Sequence, residues 1–251
     1  MSTQTTARPD ESASLNVRRM TLRAYTCAIH AAREEHTDEP QDREAWAELE
    51  ASGIAEHGRL RPQWAQALSA ATTAPVQVHV TAHQGPVTFT TDIVLLPGLG
   101  LACTQRSIAT PDSPDDESHE PAVELVAFAP ELIWPVVRRV LPPHDALRAD
   151  PAPTPSSQRH TTTIEHDRWQ TLLTQADARV ELLVSAMTAD GQLLPIGAHQ
   201  WLVTNELLRA AGPGTTSVTT LEPGAVAHEL IFLVTGAYNS AAASLNNEAD
   251  Q

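Results

Sequence analysis

The chain has 251 residues, 41% of them hydrophobic, with 16 basic against 31 acidic side chains and a net charge of −15. That length allows one large domain or two small ones, with a core that buries about 75% of the unfolded surface and needs no staples. The acidity excludes wrapping of nucleic acid, where Lys and Arg must neutralise phosphate, and docking on an anionic membrane surface.

Every basic residue is Arg. With abundant Ala, Pro and Thr, this usage points to a GC-rich bacterial genome, which is a statement about codons rather than function. No apolar run approaches the ~20 residues of a membrane span. The opening M-S-T-Q-T-T-A-R-P-D-E-S lacks the apolar core of a secretory signal, so the expected location is the cytoplasm.

Residues 1–16 are expected to be a polar, disordered tail and 17–142 a first α+β half. Val17–Arg33 predicts a helix with Leu22, Tyr25, Ile29 and Ala32 on one face. Glu34–Glu44 is charged, contains Pro40 and reads as a loop. Ala45–Leu49 opens a second helix that ends near Gly53. Pro62 suits the first turn of a third helix, Gln63–Ala71, where a missing N–H costs little. Strands are predicted at Val76–His83, Val87–Leu95 and Leu101–Ser107, with turns at Gln84-Gly85-Pro86 and Pro97–Gly100. Thr110–Pro121 holds Asp112, Asp115, Asp116, Glu117 and Glu120 without a basic partner, and is expected as a solvated, mobile loop. Val123–Pro142 reads as a strand, a Pro and a helix.

Residues 143–163, with Pro151, Pro153 and Pro155, are expected to link this half to a second one over 164–237. Asp190-Gly191 marks a hairpin between Val180–Thr188 and Gln192–His199. Trp201–Thr204 and Leu207–Ala210 fit another hairpin, but Leu207–Ala211 fits a helix equally well. Ser217–Gly236 is again a strand and a helix, and 238–251 reads as a polar tail.

The chain repeats itself. Trp64–Ala82 runs W-A-Q-A-L, a short connection, V-Q-V-H-V-T-A; Trp169–Ala186 runs W-Q-T-L-L, a short connection, V-E-L-L-V-S-A. Trp64 matches Trp169, Leu68 matches Leu173, Val76 matches Val180, Val80 matches Val184 and Ala82 matches Ala186. The helical stripe Leu132, Ile133, Val136, Val137, Val140 recurs as Val226, Ala227, Leu230, Ile231, Val234. A period near a hundred residues is too long for a solenoid and fits a duplicated half-domain.

Residues that carry chemistry are sparse. His79 and His83 share a strand face, but a third ligand is missing and no H-E-x-x-H occurs. Gly98-Leu99-Gly100 lacks the third Gly and helix of a dinucleotide site, and no P-loop or G-x-S-x-G is present. Cys27 and Cys103 stand in no motif and are expected as reduced, partly buried thiols. No catalytic residue, cofactor or metal is expected. Trp46, Trp64, Trp134 and Trp169 lie on helical stripes and are expected in the core. Trp201 fits either the core or an exposed anchor for a partner. The apolar run Leu95–Leu101 at a hairpin tip fits either a buried tip or a docking loop.

The stretch A-E-L-E-A-S-G-I-A-E-H-G-R-L-R-P-Q-W-A-Q-A-L, and W-L-V-T…L-L-R-A-A-G…S-V-T-T-L-E-P-G before the last helix, resemble the EspG family of ESX (type VII) secretion chaperones over roughly residues 44–236. The resemblance implies an α+β fold of two similar halves, each a mostly antiparallel sheet with helices, related by a quasi-twofold axis. It also implies a cytosolic, non-enzymatic chaperone that binds a helical secreted client, PE/PPE- or WXG-like, as a monomer or weak dimer. Such a protein must offer an apolar surface, and the candidate partner-binding residues are Leu96, Leu99, Trp201 and Val203. The alternative is a small-molecule- or metal-binding protein or hydrolase with a site between the halves, using His79, His83 or His199.

Overall fold

The computed structural model describes residues 15–33, 42–110, 113–151, 160–164, 166–211 and 217–249. The first half comprises β1 (Val17–Thr21), α1 (Leu22–Arg33), α2 (Arg43–Ala51), the ribbon β2 (Ala55–Glu56) and β3 (Arg59–Leu60), and α3 (Pro62–Ala70). It continues through β4 (Val76–Gln84), β5 (Val87–Leu96), β6 (Leu99–Thr110), β7 (Ser113–Phe128), α4 (Ile133–Val140) and α5 (Asp145–Arg148). The second comprises β8 (His160–Thr163), α6 (His166–Thr174), β9 (Ala178–Met187), β10 (Leu193–Thr204), β11 (Leu207–Ala211), β12 (Ser217–Leu221) and α7 (Ala225–Ala249). Local chemistry sets several boundaries. The Asp42 carboxylate caps α2 by accepting from the Ala45 N–H at 3.1 Å. That bond, with the Arg23 guanidinium beside it, holds the Asp42 carboxyl below its ordinary range. The β10–β11 hairpin turns on Asn205 and Glu206, both at positive φ, as a two-residue type I′ turn requires.

Ten strands form one sheet in the order β1-β7-β6-β5-β4-β9-β10-β11-β12-β8, and neighbouring strands pair antiparallel throughout. The order is palindromic about the β4–β9 ladder. Outward from β4 come its two hairpin successors, the strand before a helix, and the strand that opens the half; outward from β9 the same roles recur. In that ladder Val76 faces Ala186, His79 faces Leu183 and Ala82 faces Val180. A half-turn about the His79–Leu183 pair carries the Val76–Ala186 pair onto the Ala82–Val180 pair. Those are the residues matched in the sequence repeat.

Alternation along the strands divides the apolar residues between two cores. On one face Val76, Val78 and Val80 of β4 and Val180, Leu182 and Val184 of β9 meet α4, α5 and α7. On the other face Leu101, Val123 and Leu125 meet α1, α2 and α3 through Ala28, Leu49 and Leu68. Over the second half α6 is the one helix on that face among the described residues, resting on β10. Trp46, Trp64 and Trp134 are core residues at 6–7% exposure, whereas Trp169, expected to match Trp64, is half-buried. Trp64→Ala is therefore expected to cost ~3–5 kcal/mol and Trp169→Ala only ~1 kcal/mol. Urea midpoints of the two variants test this; equal losses would contradict it. Both cysteines are free and half-buried, and burial pushes the Cys103 thiol up to about 11.

Four expectations are corrected. Val17–Thr21 is an edge strand on β7 and not the start of α1, because Met20 is buried there and the Thr21 hydroxyl accepts from the Ala24 N–H at 3.1 Å, starting the helix afterwards. The acidic stretch is not a loop: β6 and β7 run through it, with Ser107 facing His119 and Ala109 facing Glu117, since ladder hydrogen bonds override local polarity. The Pro-rich linker contains α5, anchored by buried Leu147, and β8, which pairs with β12 at the sheet edge. The polar tail is the end of α7, where Ala241 is buried and the Ser244 hydroxyl accepts from the Ala189 N–H at 2.9 Å. Leu207–Ala211 is strand, and Trp201–Thr204 ends a single strand β10 that bulges between Pro195 and Gly197. The expectations for residues 1–14 and 34–41 lie outside the described residues.

Candidate functional site

The structure does not bring the four expected partner-binding residues together. Leu96 and Leu99 face each other across the Pro97-Gly98 tip and are half-buried. Their end of the sheet is the row in which Leu95 faces Val76 and Val76 faces Ala186. Trp201 faces Val180 and Val203 faces Ala178. Position 180 lies six residues along β9 from 186, ~20 Å at ~3.3 Å per residue. Trp201 and Val203 also point to the face under α7, at 2% and 1% exposure. Trp201 stacks on His199 at 5.4 Å, and His199 Nε2 lies 3.1 Å from Glu229 of α7. Both are core residues and present nothing to a partner.

Leu96 and Leu99 belong instead to the opposite face, because side chains alternate and Leu95 points into the α7 core. On that face, among the described residues, the sheet is exposed at His79, Asp92 and Leu183, between the 3-10 turn Ala71–Thr73 after α3, which contacts β5, and α6, which contacts β10. The floor of this trough is formed by β5, β4, β9 and β10. The axes of its outer strands, β5 and β10, lie three strand spacings apart, ~14 Å, the scale of one α-helix of ~10–12 Å.

The floor changes character along its length. One end is apolar: Leu96 and Leu99, then Pro75, whose carbonyl accepts from the Met187 N–H at 2.8 Å, then Met187 facing Leu193. Leu193 is 48% exposed. The centre is the His79–Leu183 pair, and Leu183 is an exposed apolar side chain among polar neighbours. His79 Nδ1 donates to Asp92 Oδ1 at 2.7 Å, and its Nε2 accepts from Thr81 Oγ1 at 3.1 Å. The far end is polar. Arg179 Nη2 donates to His83 Nε2 at 3.0 Å, leaving His83 Nδ1 to donate to Thr88 Oγ1 at 2.9 Å. Gln200 Nε2 donates to Glu181 Oε1 at 2.9 Å, which lies 3.4 Å from Arg179 Nε.

These groups are tied to one another by hydrogen bonds and close charge contacts, both across strands and along β9. His199 sits on the other sheet face from His79 and His83, so the three do not share a site. Among the described residues no three His, Cys, Asp or Glu side chains converge as a metal site would require. Leu183, Met187 and Leu193 were not singled out in the sequence. The available signal was the doublet Leu182-Leu183 in an alternating strand, where one of the two must leave the core.

No protein-family model matches the chain, and no curated protein matches it in sequence. Among solved structures it is similar to the type VII secretion system chaperone EspG5 of Mycobacterium tuberculosis, solved in complex with a PE25–PPE41 dimer. The TM-score is 0.55 at 9% identity, over 91% of this chain and 96% of that one. At that identity the likeness shows the fold, and it is the α+β, EspG-like class that the resemblance implied; the strands form one continuous ten-stranded antiparallel sheet, not a separate sheet in each half. Among the described residues no helix is long and apolar enough to cross a membrane.

Proposed function

We propose that this chain is a cytosolic, non-enzymatic chaperone or adaptor of a type VII secretion system, that it holds a helical secreted client in the trough, and that its two halves are copies of one ancestral unit. The observation that carries the reading is an exposed stretch of sheet face, with leucines at one end, in a chain with the fold of EspG5. EspG5 is a chaperone whose structure contains a PE25–PPE41 dimer. A chaperone must mask apolar client surface yet remain soluble when empty. A net charge of −15 serves the second need, and the Leu96, Leu99, Met187 and Leu193 end serves the first. The duplication is supported by the palindromic strand order and by the coincidence of the sequence repeat with the half-turn about His79–Leu183.

The test is co-expression with a PE–PPE pair encoded in the same genome, followed by size-exclusion chromatography. The expected result is co-elution of all three chains at a stoichiometric ratio, with Leu99→Asp reducing the complex while the chain alone elutes unchanged. Separate elution from every such pair would refute the reading.

A further inference from the structure

The trough has a twofold backbone and one-sided chemistry. A half-turn about His79–Leu183 exchanges β4 with β9 and β5 with β10. In the registers, Leu95 faces Val76 as Trp201 faces Val180, so the half-turn exchanges Leu96 with Leu202. It likewise exchanges Pro75 with Arg179 and Met187 with His83, and Leu193 with Thr88 through their partners. The row Leu96–Pro75–Met187–Leu193 thus has the row Leu202–Arg179–His83–Thr88 as its geometric counterpart. The first row is apolar and open. In the second, Leu202 is fully buried and Arg179, His83 and Thr88 are joined by hydrogen bonds. A helix laid on the backbone alone would dock equally well in either direction.

We propose that this asymmetry fixes the direction of the client helix, an inference that rests on the chaperone reading above. The helix lies with an apolar N-terminal turn on Leu96, Met187 and Leu193. Its C-terminal turn, with unsatisfied carbonyls and an acidic side chain, meets Arg179. The partial negative charge of a helix C-terminus favours a cation there, and Arg179 is a planar donor suited to carboxylates and carbonyls. Between the ends, Asp92 is 71% exposed at its side chain and Glu181 46%. Each is already engaged, Asp92 by His79 and Glu181 by Arg179 and Gln200, so the middle of the trough sets no charge on the helix. The rows at positions 75 and 83 of β4 lie ~26 Å apart, which is about 17 helical residues. The client segment therefore reads apolar at its N-terminal turn and acidic at its C-terminal turn.

Two synthetic helical peptides of about 17 residues test this. One carries Leu in the first turn, uncharged Ala and Gln in the middle and Glu in the last turn, and the other has the same residues in reverse order. Calorimetric titration into the full chain is expected to favour the first by about tenfold, the scale of one charge–dipole contact in a partly buried site. Arg179→Glu is expected to abolish or invert that preference, and Arg179→Gln to narrow it, with melting curves checking that each variant is folded. Equal affinity for the two peptides, preference for the reversed one, no binding of either, or a ratio unchanged in the folded Arg179 variant would each overturn the proposal. Co-elution with a PE–PPE pair reports separately on the chaperone reading, so loss of the peptide preference with that complex intact rejects the direction alone.

Discussion

Trp201→Asp is expected to abolish cooperative folding. Trp201 is 2% exposed, faces Val180 on one side and Ala210 on the other, and stacks on His199. Removing the indole leaves a cavity worth ~3–5 kcal/mol. The carboxylate that replaces it meets apolar neighbours, and an unpaired buried charge costs several kcal/mol more. The sum is comparable to the whole stability of a typical domain, ~5–15 kcal/mol. Trp201→Phe, which keeps most of the volume, is expected to fold with a lowered urea midpoint. Circular dichroism melts distinguish the outcomes: a cooperative Trp201→Asp transition near that of the parent chain would return Trp201 to the surface.

Leu183→Asp is expected to do the reverse, leaving folding intact and removing client binding. Leu183 stands at the centre of the trough, 39% exposed, so its carboxylate stays hydrated in the free chain. Under a docked helix the same carboxylate is desolvated among Thr81, Asp92 and Glu181. An uncompensated charge there costs several kcal/mol, enough to weaken binding by about a hundredfold or more. Leu245→Asp is the control, because Leu245 is an exposed apolar residue of α7, at 59%, away from the trough. Calorimetry with a co-eluting PE–PPE pair is expected to show loss for Leu183→Asp and parental affinity for Leu245→Asp. Parental affinity in both would remove the trough from the binding surface.

The strands were legible where local pattern and tertiary role agree. V-Q-V-H-V-T-A alternates without interruption and became β4; V-E-L-L-V-S-A became β9; Gln84-Gly85-Pro86 and Asp190-Gly191 carry turn chemistry. Local pattern failed where the ladder decides. Val17–Thr21 resembles the start of a helix until β7 lies beside it, and the acidic run after Thr110 has no strand propensity of its own. Apart from Leu245, Ser240–Ala249 is polar or small-sided and reads as a tail, yet it continues a helix already formed from Ala225. The site was half legible. Leu96 and Leu99 could be picked out because apolar residues at a hairpin tip are unusual. Trp201 and Val203 could not be assigned a side, since alternation says which residues share a face but not which face α7 will cover. Leu183 escaped because one apolar residue on a polar face is ordinary. It gains meaning once its neighbours across β4 and β9 are known to be solvent-facing.

The central claim is that the client lies on the open sheet face, and photocrosslinking tests it most directly. A benzophenone amino acid is placed at position 183 in one variant and at position 232 in another. Position 232 is where Phe232, 65% exposed, marks the outer side of α7. Each variant is co-expressed with the PE–PPE pair and irradiated. The account predicts a crosslinked client band from position 183 and none from position 232. A crosslink from position 232 with none from position 183 would contradict it and move the client to the opposite side of the sheet.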